Sequence, residues 1–146
     1  MASQTTPAAV FFYSPDRKGE HPQRHLRSFT GVLHADGYAG FEDLYRSGAI
    51  REVACMAHVR RKFVDIHRSQ GSPIAEEAIG RIAQLYAVEK QARGSPPDIR
   101  VELRKAHAAP VFDDLEVWLA MQLTTISGKS PLASAIRYAL TRMERL

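Results

Sequence analysis

Cysteine, long apolar runs and glycine-rich phosphate loops are all scarce in this chain, and each shortage removes a class of protein. Cys55 is the one cysteine among 146 residues, so there is no internal disulfide framework, and a reducing compartment suits the chain. With His58 it has the spacing of half a zinc site, but a structural zinc needs two such pairs of ligands and the sequence offers no second one. A cysteine buried at a strand end is the plainer reading. No run approaches the length of a membrane span, and Met1 to Pro7 lacks the basic start and apolar stretch of a secretory signal. The expectation is a cytoplasmic protein with no membrane partner. After Tyr13, the turn Ser14-Pro15-Asp16-Arg17-Lys18-Gly19 lacks the glycines that cradle a phosphate, which counts against a small nucleotide-binding or flavodoxin-like protein. Internal repeats and low-complexity segments are absent too.

What remains is an ordinary globular composition, 45% hydrophobic and 25% charged, which can bury a modest core within one domain. The net charge of +4 and a pI near 9.5 attract polyanions over most of the surface. That suits nucleic acid but also fits basic proteins that bind none.

The first half alternates strand and helix signals. Ala8 to Tyr13 is a short apolar run closed by Ser14-Pro15-Asp16 and predicts a strand. Pro22 opens a short helix reaching Phe29, and Gly31 to Ala35 predicts a second, buried strand. Gly40 to Ser47 predicts a short helix with Phe41, Leu44 and Tyr45 facing inward and Gly48 as its cap. Ile50 to Ala57 follows as a third strand. From His58 the period becomes helical, with Val59, Phe63 and Ile66 on one face.

From Ser72 the pattern is helical throughout. Ser72-Pro73 and Ser130-Pro131 are cap-and-proline helix starts. Ala75, Ala78, Ile79, Ile82 and Tyr86 form the stripe of a helix ending near Gly94. Asp98 to His107 predicts a charged helix, and Pro110 to Ile126 a separate one with Val111, Leu115, Trp118, Leu119 and Leu123 on one face. Leu132, Ala135, Ile136, Ala139, Leu140 and Met143 mark the last. The chain thus reads as α/β followed by all-α: a disordered N-terminus over residues 1–7, an α/β portion over 8–71 and a helical region over 72–146.

Asp36 stands out at the end of the second strand, before the turn Gly37-Tyr38-Ala39-Gly40. Open α/β sheets place ligands and metals at the carboxyl edge of their strands, where such a carboxylate is held rigidly. An aspartate after a strand is also a common turn former, and on motif grounds alone that reading prevails. His34 shares its strand face and reads as an ordinary hydrogen-bonded histidine.

Four segments, FFYSPDRKGEHP (Phe11 to Pro22), GVLHADGYAGF (Gly31 to Phe41), CMAHVRRKF (Cys55 to Phe63) and KSPLASAIRYAL (Lys129 to Leu140), resemble in this order the insertion sequence 66 family of bacterial DDE transposases. The resemblance implies an internal fragment: part of a ribonuclease-H-like catalytic core with its central strands missing, interrupted from residue 72 by a helical insertion. It implies that Asp36 is catalytic and a metal ligand, the second of three carboxylates, with the first before Met1 and the third beyond Leu146. Such acids hold two divalent cations, Mg2+ or alternatively Mn2+, for in-line phosphoryl transfer on DNA. One carboxylate holds neither cation adequately, so the chain alone is expected to be inactive.

The other candidates carry less chemistry. Arg60, Arg61 and Lys62 begin a helix near the Asp36 edge, where they suit DNA phosphates without base specificity, although basic triplets are commonly a solvated face. Arg17, Lys18 and His21 have the same standing. His58 sits in a segment that resembles a family motif and is kept at the edge of the site without assigned chemistry. Trp118 and Tyr138 read as core. The partners implied are DNA and other transposase subunits. The alternative is a non-catalytic DNA-binding or transposase-interaction module, which needs only a basic surface and helices.

Overall fold

The computed structural model describes residues 8–35 and 37–146. Its elements run α1 (Glu20–His25), β1 (Gly31–His34), a 3-10 turn (Ala39–Phe41), α2 (Glu42–Tyr45), β2 (Ile50–Val53), α3 (Met56–Gln70), α4 (Pro73–Ala92), α5 (Pro97–Leu103), a π turn (Arg104–Ala108), α6 (Ala109–Thr125), α7 (Pro131–Leu140) and a 3-10 turn (Met143–Arg145). Two compact units emerge. The first takes residues up to Leu33 with Gly37–Glu52, and the second takes His34–Asp36 with Val53–Leu146.

β1 and β2 form a two-stranded sheet. Gly31 N donates to Ala49 O at 2.9 Å and Ala35 N to Val53 O at 3.1 Å, the same offset at both ends, so the strands run parallel. The second and third of the strands that the sequence predicts thus pair with each other. The expected burial of β1 is absent: Val32 is 50% exposed. A pair of strands has no further neighbours to close over its faces, and burial begins only at Ala35.

The strand expected at Ala8 to Tyr13 does not form. The segment pairs with no strand among the described residues, and Phe11 and Tyr13 are 93% and 92% exposed. An apolar run becomes a strand only where another strand meets its peptide groups. Phe12 instead stacks on His25, with ring centroids 3.8 Å apart. Within this first unit only Leu44 and Ile50 are buried hydrophobic residues among those described. Gly19 has a specific role there, because a Cβ at this position would lie 2.9 Å from the Gly40 carbonyl oxygen. Only glycine permits that approach of two backbones.

The second unit holds the main core. Val59 and Phe63 of α3 pack with Ala75, Ala78, Ile82 and Leu85 of α4, Leu115 and Leu119 of α6, and Leu132, Ala135, Ile136 and Ala139 of α7. The alanines on α4 and α7 present little more than a methyl group, which lets the helices approach closely around the large Phe63 and Ile82 side chains. Local signals fix the helix ends, and the two serine starts are those the sequence predicts. The Ser72 and Ser130 hydroxyls accept from Ala75 N at 3.3 Å and Ala133 N at 3.0 Å, and Gly71 closes α3 in the left-handed region at φ 61°.

Several boundaries and one helix face differ from expectation, and α1 runs from Glu20 to His25 rather than from Pro22 to Phe29. β2 stops at Val53 and α3 starts at Met56, so Cys55 is the extended residue that precedes the helix and is half-buried. Tyr86 is 42% exposed, because the buried face of α4 continues through Leu85, Val88 and Ala92 and leaves residue 86 turned aside. The two helices expected on either side of residue 108 are one continuous rod with a π turn inside it. Pro110 explains the turn: it has no N–H to donate, and its ring presses on the carbonyl one turn back. Widening the helix so that Ala109 N bonds Arg104 O relieves the clash without ending the rod.

Candidate functional site

The ends of the two strands are tied together through one peptide group. The Ala54 carbonyl accepts from His34 Nε2 at 2.8 Å, so the ring proton lies on Nε2, and Ala54 N donates to Arg145 O at 2.7 Å. His34 is thus the hydrogen-bonded strand histidine that the sequence suggests. Asp36, the candidate catalytic carboxylate and metal ligand, follows directly after Ala35 and lies outside the described residues, as does the stretch 1–7.

The Cys55–His58 pair sits at the start of α3. The Cys55 carbonyl accepts from His58 N at 3.0 Å and from Val59 N at 3.4 Å, the first turn of the helix. His58 is half-buried, and its Nδ1 is buried without a hydrogen-bond partner among the described residues.

The basic triplet divides. Arg60 and Arg61 line an open groove of about 710 Å³ together with Arg68 and Asp65 of the same helix and Ala83 and Tyr86 of α4. Lys62 does not line it: its ammonium lies 5.1 Å from the centre of the Tyr138 ring, the same ring over which Arg142 packs at 3.7 Å. Arg68 follows Arg61 by two helical turns, a spacing that brings both to one face, and helical periodicity applied to the charges would have found it. Trp118 and Tyr138 pack against the core as expected, and Arg81 covers the Trp118 ring at 4.7 Å.

Arg17, Lys18 and His21 are engaged within the first unit. Arg17 lies over the Tyr38 ring at 5.5 Å, Lys18 pairs with Asp16 at 3.3 Å, and His21 Nε2 is 2.7 Å from Asp16 Oδ1. Donation by the Lys18 backbone N–H, followed by the His21 bond, holds the Asp16 carboxyl below its usual range. Asp16, Glu20 and His21 bring three potential ligand atoms within 4.8 Å of one another. A second, largely apolar cavity of about 690 Å³ lies in the helical unit, lined among others by His34, Met56, Leu85, Phe112 and Leu146. At its side Arg104 of the π turn makes two hydrogen bonds to Glu89, at 2.7 and 2.8 Å. The guanidinium holds the Glu89 carboxyl below its usual range.

Against known proteins, the sequence signature described as Transposase IS66 family matches residues 1–146. The chain belongs to the IS66 transposase family. It is similar to three proteins of Sinorhizobium fredii (strain NBRC 101917 / NGR234), each described as uncharacterized. It is 36% identical to y4hP, with 94% of this chain and 28% of that protein covered. It is 38% identical to y4jD over 92% of the chain and 27% of the relative, and 38% identical to y4qI over 97% and 28%. The IS66 segment thus spans little more than a quarter of the length of these relatives. No solved structure matches it. Among the described residues, no helix is long and apolar enough to cross a membrane.

Proposed function

We propose that this IS66 chain is part of the catalytic region of a DNA transposase, and that Asp36 is one of the carboxylates that hold its divalent cations, Mg2+ or Mn2+. The observation that carries this is the family match over the whole chain, and the position of Asp36 in the sequence, two residues after the end of β1, supports it. Residues 8–71 then belong to a ribonuclease-H-like core and residues 72–146 to a helical insertion. The partners are DNA, reached through Arg60 and Arg61 with Lys62 beside them, and other transposase subunits, all in the cytoplasm. His58 borders the site.

The donor set on this chain does not by itself fit a pair of cations. Beside the end of β1 no three carboxylate, histidine or thiol ligands gather among the described residues; the one group of three is Asp16, Glu20 and His21. No catalytic step is therefore assigned to these residues alone, and chemistry requires further acids. The test is strand transfer with a labelled transposon end and magnesium. A protein of the relatives' length containing this segment joins the end to target DNA, whereas residues 1–146 alone neither cleave nor join it. Metal-dependent strand transfer by the 146-residue chain, or its absence from the longer protein with both metals, contradicts the proposal.

A further inference from the structure

We infer that the groove between α3 and α4 is a binding site for single-stranded DNA, with phosphates on Arg60, Arg61 and Arg68 and an unpaired base on Tyr86. The inference rests on the transposase reading and deepens it by naming the form of DNA and the residues that take it.

The charge arrangement favours an anion that runs along the helix. Arg60 and Arg61 lie side by side on α3 and Arg68 two turns further on, and at 1.5 Å per residue the first and last are about 12 Å apart along the axis, enough for more than one phosphate of a strand. Three arginines elsewhere are paired with carboxylates: Arg46 with Asp43 at 2.9 Å, Arg81 with Glu77 at 2.8 Å and with Asp114, and Arg104 with Glu89 at 2.7 Å. The three in the groove form no ion pair among the described residues, although Asp65 lines the same groove. Three cations and one anion leave an excess of positive charge. Guanidinium suits this role because its planar fork meets two phosphate oxygens at once.

Tyr86 decides between a duplex and a single strand. It is the aromatic residue of the groove and stays 42% exposed while its neighbour Leu85 is buried. Phosphate contacts alone would serve either form. A ring standing between two helices beside the phosphate path offers a face to a base, and only an unpaired base has a face free to stack on it. Arginines tracking the backbone and an aromatic face for the base are the two elements of sequence-tolerant single-strand binding.

The experiment uses the intact 146-residue chain, a fluorescent oligothymidylate, a duplex of equal length and polyglutamate as competitor, with anisotropy read across a salt series. Three phosphate contacts predict a slope of log K against log salt of about −2 for the single strand, and each of Arg60→Gln, Arg61→Gln and Arg68→Gln flattens it by about 0.7. Tyr86→Leu weakens the single strand about tenfold and leaves the duplex unchanged. Lys129→Gln, outside the groove, leaves the slope as it was, and circular dichroism confirms that each variant is folded. The inference is overturned by equal affinity for duplex and single strand, by arginine variants with the original slope, by an indifferent Tyr86→Leu, or by polyglutamate displacing the strand at equal charge concentration. Strand transfer by the longer protein separates the two levels. If it persists while the groove variants bind normally, the groove inference falls alone; if it is absent while the groove binds as described, the transposase reading falls alone.

Discussion

Replacing Phe63 by alanine removes the side chain around which four helices of the second unit meet. Phe63 is fully buried, and its neighbours Ile82, Leu115, Leu119 and Ile136 are fully buried as well, so no surrounding group can swing in from the surface to fill the gap. The lost transfer of the ring from water amounts to about 2 kcal/mol. A residual cavity of roughly 100 Å³ at about 24 cal/mol per Å³ adds about 2 kcal/mol more. The sum, about 4 kcal/mol, is a large part of the roughly 5–15 kcal/mol that holds a domain folded. Trp118 is the only tryptophan and lies in the same unit, so urea unfolding followed by its fluorescence reports on the helical unit alone. With an m-value of about 2 kcal/mol per molar urea, the midpoint falls by about 2 M. Phe63→Leu, which keeps most of the volume, moves it by less than half as much. A midpoint shift for Phe63→Ala below about 0.5 M would refute the packing argument.

Other consequences are as direct. Gly71→Ala costs about 1 kcal/mol by the same assay although nothing lies within 4 Å of the new methyl group, because the penalty is the left-handed backbone at φ 61°; an unchanged midpoint would show that the α3 C-cap relaxes. Glu89→Gln removes the partner of Arg104, a pair whose two side chains are each 47% exposed, so the loss at pH 7 stays below about 1 kcal/mol. The Glu89 carboxyl titrates below its usual 4.5 in the folded state, so its contribution is present above that value and is lost as pH falls through the lowered folded value. Wild type and Glu89→Gln therefore converge in acid, and a gap that widened instead would contradict the assignment. In hydrogen exchange, backbone amides of residues 8–33 and 37–52 exchange before those of α3, α4, α6 and α7, since among the described residues of that unit only Leu44 and Ile50 are buried hydrophobics; equal protection would contradict this.

Local chemistry was legible wherever one residue decides the outcome. The Ser72-Pro73 and Ser130-Pro131 starts and the inward faces of α3, α6 and α7 follow from capping and a 3.6-residue period, and the parallel pairing of Gly31–His34 with Ile50–Val53 follows from two apolar runs joined by a helical crossover. What failed depended on partners. Ala8 to Tyr13 carries a strand's composition but has no strand beside it among the described residues, and β1 carries a buried strand's composition within a sheet too small to bury it. Pro110 reads as the start of a separate helix, but a proline near the start of a helix can also be absorbed by a wider turn, as it is here. At the candidate site the basic triplet was visible as a run of three letters, whereas the helix sorts it by angle: Arg60 and Arg61 join Arg68, and Lys62 turns to Tyr138. Tyr86 was hidden because an aromatic at stripe spacing is ordinarily core, and only the drift of the buried face toward Leu85 and Val88 leaves it open.

The central claim is that the Asp36 carboxylate binds catalytic metal, and the most direct measurement is strand transfer by Asp36→Asn in a protein of the relatives' length. Asparagine keeps the size and the turn-forming side chain while removing the charge that a divalent cation requires. The account predicts loss of strand transfer by at least about a thousandfold with magnesium, in line with about 4 kcal/mol of lost transition-state stabilisation, while affinity for the transposon end stays within about twofold of wild type. Strand transfer by Asp36→Asn at the wild-type rate would contradict it.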